Sequence, residues 1–100
     1  MARRQWIELK DVEWEDCKQI KAYLDERNAD YGLVNADPYG LKEGWWHHIT
    51  IKPSWNLMRD FREDLKKMGI NVIPIVETYE IVYSGCSCIQ HELINSYELE

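Results

Sequence analysis

The strand-like segment at residues 45–52 constrains the fold more than any other part of this chain. It reads Trp-Trp-His-His-Ile-Thr-Ile-Lys, and alternate side chains of a strand point to opposite faces of the sheet. Ile49 and Ile51 therefore share one face, which is predicted to pack on a core. The other face carries an aromatic ring, an imidazole, a hydroxyl and an ammonium group, at Trp46, His48, Thr50 and Lys52. A sheet with one apolar face needs helices on that side only, so the polar row is a candidate ligand-facing surface.

Two other segments have the hydrophobic spacing of amphipathic helices. The first is predicted to begin at Asp11, as its cap, and to end near Asn28. The second begins after Ser54 and ends at Gly69, a residue suited to the left-handed conformation that closes a helix. Each helix has an apolar stripe, at Trp14, Cys17, Ile20 and Leu24 in the first and at Leu57, Phe61, Leu65 and Met68 in the second.

Three more segments are predicted to be strands, since they alternate or are rich in β-branched residues: residues 5–10, 31–35 and 70–77. The first of them places Ile7 and Leu9 on the apolar face and Trp6, Glu8 and Lys10 on the open face. The last contains Pro74. Because proline cannot donate a hydrogen bond to a neighbouring strand, this strand is predicted to lie at an edge of the sheet.

The order strand, helix, strand, strand, helix, strand matches the split βαβ, or ferredoxin-like, arrangement. Residues 1–100 are therefore predicted to form a single α+β domain, with a four-stranded antiparallel sheet at residues 5–77 and both helices on one face. Residues 78–98 are an extension, predicted to add a strand and then a short helix that begins at Ser87. That helix is expected to lie over the open face of the sheet.

Charge and cysteine content exclude some functions and favour a location. The net charge is −6 and the pI is near 5.0, which argues against general binding to nucleic acid backbones. There is no apolar run of about 20 residues and no signal-peptide pattern, so no membrane association is expected. Three cysteines are an odd number, and Cys86 and Cys88 lie too close together to staple the fold. A reducing compartment, the cytoplasm, is predicted, with no cofactor.

His48 and Thr50 form a motif with catalytic potential. Imidazole can transfer a proton near neutral pH, and the hydroxyl beside it can hold a phosphate oxygen. The segment His-His-Ile-Thr-Ile resembles the His-x-Thr motif of the two-histidine phosphoesterases, including their RNA-repair-type relatives, over residues 45–76. The resemblance implies action on 2′,3′-cyclic phosphates or 2′–5′ linkages, with His48 as acid or base and Thr50 holding phosphate. That family uses two such motifs, whereas this chain has one, since His91 is followed by Glu92 and Leu93.

The cysteine-rich segment near the end of the chain offers two further readings. Residues 65–93 resemble the end of amidinotransferase and deiminase enzymes, which implies a nucleophilic Cys88; a buried or inert thiol is the alternative. Cys86, Cys88 and His91, with His47 as a fourth ligand, could instead bind zinc. His47 is otherwise expected to be a core histidine hydrogen-bonded to a neighbour.

The leading hypothesis concerns the tryptophans. Trp14 is predicted to lie in the core and Trp55 near the surface, while Trp6 and Trp46 share the open face. We expect a small acidic domain that binds or regulates without catalysis, through Trp6, Trp46 and Lys52. Its partner would be another protein or a second copy of the chain, and a phage-type inhibitor of a host protein fits this description. A phosphoesterase using His48 and Thr50 is one alternative, and a small zinc-binding domain is the other.

Overall fold

One antiparallel sheet and two helices make up the part of the chain that the structure describes. The computed structural model describes residues 3–35, 46–83 and 89–99, and gives no side-chain placement for residues 34, 35, 46, 83 and 89. The elements are β1 (Arg3–Glu13), α1 (Trp14–Glu26), β2 (Tyr31–Asn35), β3 (Trp46–Ile51), α2 (Trp55–Lys67), β4 (Ile75–Tyr83) and β5 (Ile89–Glu98). The predicted α+β class is confirmed, and so is the order of the first six elements.

The sheet has five strands, and the extra strand predicted at the start of the extension is not a separate one, because β4 continues to Tyr83. Their spatial order is β2-β3-β1-β4-β5, and every neighbouring pair is antiparallel. The helix predicted within residues 78–98 is wrong, because this segment contains β5, which pairs with β4 from Ile75↔Glu98 to Tyr83↔Ile89. The apolar residues that suggested a helix are four positions apart. That spacing also fits the period of two in a strand, so it could not separate the two structures.

Pro74 does not lie within a strand, so the edge position predicted from it is wrong. β4 begins one residue later, at Ile75, and lies between β1 and β5. A proline just before a strand removes no hydrogen bond from the sheet. Its carbonyl instead accepts a hydrogen bond from the backbone N–H of Leu99, at 2.9 Å, and so joins the start of β4 to the end of β5.

The core lies on the predicted face of the sheet. Ile7, Leu9, Ile49 and Ile51 are fully buried. They belong to one apolar cluster with residues of both helices, namely Cys17, Ile20, Tyr23 and Leu24 of α1 and Leu57, Phe61 and Leu65 of α2. The alternation in the strands therefore identified correctly which side of the sheet packs against the helices.

The start of α1 differs from the prediction. Asp11 does not cap this helix, because β1 continues to Glu13, and Glu13 stands at the N-cap without a side-chain hydrogen bond. A bulge between Leu9 and Val12 allows the longer strand, with Asp11 in the left-handed conformation (φ 55°). Trp14 is 41% exposed, so its predicted place in the core is wrong. As the first residue of the helix, it lies at the margin of the packed face.

The second helix follows the prediction closely. The Ser54 hydroxyl accepts a hydrogen bond from the Leu57 backbone N–H at 3.3 Å, and Gly69 has a φ of 75° just beyond the end of the helix. The two helices are joined by the Tyr23 hydroxyl, which donates to the Asp64 carboxylate at 2.5 Å. Within the described residues, neither helix has the length and apolar character required to cross a membrane.

Candidate functional site

The sheet face opposite the helices holds the polar side chains that the alternation predicted there. The pairing of β1 with β3 places Glu8 opposite Thr50, and the pairing of β1 with β4 places Trp6 opposite Glu77. β5 extends the sheet beside β4 and does not fold back over this face, so the predicted cover is replaced by an added strand. His48 and Thr50 are accordingly partly exposed.

His48 is held in place by the bulge in β1. Its Nδ1 atom accepts a hydrogen bond from the backbone N–H of Asp11 at 3.3 Å. In a neutral imidazole whose Nδ1 accepts, the proton is on Nε2, so Nε2 can donate to a ligand. The Thr50 side chain follows two residues later on the same face. The structure therefore brings the two residues of the His-x-Thr motif together.

A carboxyl pair, Glu8 and Glu77, lies on this face with Glu8 opposite Thr50, and sequence reasoning missed the pair. Glu8 is opposite Ile75 and so is diagonal to Glu77 on the same face. Glu77 is only 5% exposed, and its carboxylate accepts a hydrogen bond from the Tyr79 hydroxyl at 2.6 Å. The Lys10 ammonium lies 3.5 Å from Glu77 Oε1 and 3.9 Å from Glu8 Oε2.

The two carboxyl groups have opposite pKa shifts. Burial, the hydrogen bond with Glu77 and the negative charge of Glu77 together raise the pKa of Glu8 to about 7, although the Lys10 charge acts in the opposite direction. Burial also acts to raise the pKa of Glu77, but hydrogen bonds from Tyr79 and Glu8, together with the Lys10 charge, bring it below its usual value. Below about pH 7 the pair therefore holds one proton, on Glu8, and it loses this proton as the pH rises through that value. Glu8 was predicted to lie on the open face, but only the β1–β4 register could show that Glu77 is beside it.

A cleft with an excess of positive charge opens at the end of β1 where the chain enters the sheet. It has a volume of about 590 Å³ and is lined by Arg3, Arg4, Gln5, Trp6, Asp30, Lys52 and Pro53. The Lys52 backbone N–H donates to the Asp30 carbonyl at 2.8 Å, which fixes the end of β3 against the start of β2. In the described part of the chain, none of the three cationic side chains makes an ion pair. Their charges are therefore directed to the solvent and to any ligand.

The predicted binding residues do not all lie together. Trp6 and Lys52 both line the cleft. Trp46 stands at the other end of β3, where its backbone pairs with Glu13, so six residues of strand, or roughly 20 Å, separate it from Lys52. The aromatic surface predicted to include both Trp6 and Trp46 is thus spread over two ends of the sheet.

His47 and Trp14 contact each other beyond the bulge. Their ring centroids are 5.1 Å apart, and the Lys18 ammonium lies 5.9 Å from the Trp14 ring. His47 is only partly buried, and its buried Nδ1 atom has no hydrogen-bond partner among the described residues. His47 is therefore at the margin of the core rather than inside it, and the hydrogen bond expected for it is not seen among the described residues.

The structure provides no support for the cysteine-based hypotheses. Cys86 and Cys88 lie outside the described residues, and so does the first turn of the helix predicted from Ser87. His91 is exposed on β5, opposite Ile81. Among residues 3–35, 46–83 and 89–99, no cluster of three or more His, Cys, Asp or Glu side chains could bind a metal ion. Cys17 is a free and fully buried thiol.

Comparison with known proteins gives no relative from which a function could be transferred. No family model, no curated protein and no solved structure matches this chain. Function must be argued from the open face of the sheet and the cleft at its end.

Proposed function

We propose that this chain is a small binding domain that docks an acidic segment of a partner protein in the cleft beside Trp6 and Lys52. The observation that carries the proposal is the lining of the cleft. Three cationic side chains and one acidic side chain surround it, although the chain as a whole has a net charge of −6. A local positive charge on an acidic protein directs an acidic ligand to the cleft, because the rest of the surface repels such a ligand.

The shape and composition of the cleft suit a short peptide segment. Its volume of about 590 Å³ lies within the range typical of ligand pockets. The Trp6 ring supplies an apolar contact at low cost in side-chain entropy, while Arg3, Arg4 and Lys52 supply charge-assisted hydrogen bonds to carboxylates. This combination of one aromatic anchor and a surrounding ring of charge is typical of protein-binding sites.

We further propose that the first four strands and both helices form a ferredoxin-like unit to which β5 has been added. The order β2-β3-β1-β4 within the sheet supports this, with β1 and β3 internal. A reducing compartment, the cytoplasm, is proposed on the cysteine content and the free thiol of Cys17.

Selection from a random peptide library tests the binding function. We expect the wild-type protein to enrich peptides rich in Asp and Glu, and R4E/K52E to lose this enrichment because it replaces two of the attracting charges. Binding of a selected peptide should weaken at least about tenfold, which corresponds to roughly 1.4 kcal/mol. The matched control is K21E/K66E, which changes the net charge by the same amount at exposed helix positions.

Two results would contradict the proposal. One is a set of selected peptides without acidic bias. The other is equal weakening by the cleft variant and the helix variant, because a general effect of net charge would then explain the binding.

A second candidate, a phosphoesterase, is favoured by the geometry of His48. The hydrogen bond from Asp11 occupies Nδ1 and leaves Nε2 as the nitrogen that can act on a ligand, and Thr50 follows two residues later on the same face. Glu8, whose pKa is raised to about 7, lies opposite Thr50 and could act as the second proton-transferring group. This arrangement would replace the second histidine that the family motif requires.

Hydrolysis of a 2′,3′-cyclic nucleotide tests this candidate. If it is correct, activity should appear with the wild-type protein and fall at least about a hundredfold in H48A, as expected for loss of a general acid or base. H91A is the matched control, since His91 is exposed on β5 and distant from the motif. Wild-type activity at background would exclude the phosphoesterase and leave the binding function.

A further inference from the structure

We infer that β5 pairs with β5 of a second copy of this chain, in an antiparallel arrangement related by a two-fold axis. The outer edge of β5 pairs with no strand in the described part of the molecule. β5 has 10 residues, whereas the opposite edge strand, β2, has five. An exposed edge presents unpaired backbone N–H and C=O groups, and another strand satisfies them best.

The composition of β5 is that of a pairing edge. Lysine, proline and inward-facing charges commonly protect edge strands from association, and β5 contains neither lysine nor proline. Its central residues, 93–97, are all uncharged. Three apolar side chains of this stretch are exposed, Leu93 by 53%, Ile94 by 42% and Tyr97 by 41%. Contact with a partner strand would remove part of this apolar area from water.

A bulge in β5 restricts the registers that the two copies can adopt. β4 pairs Thr78 with Asn95 and Tyr79 with Leu93, so Ile94 is the extra residue. Side chains before and after Ile94 therefore alternate out of phase with each other. Paired residues must point to the same face, so an odd-numbered residue before Ile94 must lie opposite an even-numbered residue after it. The register that we infer places Leu93 opposite Ser96 and His91 opposite Glu98 of the second copy.

That register also pairs complementary groups. His91 and Glu98 are both exposed on the open-face side of β5, and in the dimer each His91 imidazole can donate an N–H to the Glu98 carboxylate of the other copy. The two-fold axis produces this pair twice. Glu92 meets Tyr97, so no two carboxylates are opposed. The charges at the ends of β5 thus select the arrangement that the bulge permits.

The arrangement closes as a dimer and leaves the proposed binding cleft accessible. Each copy uses its β5 edge completely, so two five-stranded sheets join into one continuous sheet and the association stops at two. The cleft lies on β1 and β3, separated from β5 by β4. The inference is independent of the proposed function, because neither the cleft residues nor His48 take part in the interface.

Sedimentation velocity on the full chain tests the inference. We expect the wild-type protein to be dimeric at about 100 µM, a concentration at which an interface of micromolar affinity is largely formed. H91E should weaken the dimer at least about tenfold, because it opposes two like-charged pairs, and H91E/E98K should restore it. Q19E, which adds the same charge on an exposed position of α1, is the matched control and should leave the dimer unchanged.

Hydrogen exchange provides a second measurement. Amide exchange in β5 should slow as the protein concentration rises, while exchange in β2 should not change. A monomeric wild-type protein at this concentration overturns the inference. A dimer that H91E leaves intact, or that H91E/E98K fails to restore, also overturns it, because the contact would then lie elsewhere.

Discussion

Glu8 and Glu77 show that the sheet face opposite the helices can bury charge even where no described element packs over it. The two carboxyl groups lie on neighbouring strands, and the Lys10, Tyr79 and Trp6 side chains occupy adjacent positions on the same face. Water is largely excluded from Glu77, so a second negative charge on the neighbouring strand would be repelled strongly. Below about pH 7 the molecule avoids this cost because Glu8 is protonated, as its raised pKa of about 7 indicates.

The proton on Glu8 links the stability of the fold to pH. The pKa of Glu8 is higher in the folded state than in the unfolded chain. The contribution of Glu8 to the free energy of unfolding is therefore complete below about pH 4.5 and is lost as the pH rises through about 7. Glu77, with its pKa lowered, changes stability only below about pH 4.5. We therefore expect the free energy of unfolding to fall between pH 5 and 8 by at most about 3 kcal/mol.

E8Q should remove this pH dependence, and urea denaturation at several pH values measures it. E92Q serves as the control, because Glu92 is exposed on β5. An E8Q protein whose stability still falls over the same range would show that another group is responsible.

At the scale of elements, α2 and β5 show what local sequence can determine. α2 has a serine cap, a regular apolar stripe and a glycine after its end, and each of these signals arises from contacts within a few residues. β5 has no comparable signal, because it is a strand only through its pairing with β4. The bulge in β1 likewise depends on pairing with β3. Local sequence alone therefore predicts the start of α1 at Asp11, whereas the helix begins after Glu13.

S54A should destabilise the protein by about 1 kcal/mol, because the Leu57 backbone N–H loses its side-chain acceptor. The free energy of unfolding from urea denaturation measures the effect. S96A, at an exposed position of β5, should change it by less than about 0.5 kcal/mol. Equal destabilisation by both changes would mean that the cap contributes nothing specific.

At the scale of the whole molecule, the alternation of polar and apolar residues predicts the two faces of the sheet. It does not predict which residues of neighbouring strands meet on each face. Alternation was sufficient to place Ile7 and Ile49 in the core and Trp6 and His48 on the opposite side. Prediction of the cleft would have required knowledge of the tertiary structure, since the cleft combines the start of β1 with the end of β3 and the loop before β2. The pairing of Glu8 with Glu77 required the register of two strands far apart in the chain. Such contacts follow from tertiary structure, which hydrophobic spacing does not report.

The central position of β1 also has a consequence for how the molecule is made. Of the five strands, β1 is synthesised first, yet it lies between β3 and β4, and its residue Ile7 is paired with Ile51 on one side and Val76 on the other. The core therefore cannot close until most of the chain has been synthesised. Until then the apolar side of β1 has no permanent partner, so the nascent chain is the stage at which this protein is most open to aggregation or to capture by a chaperone.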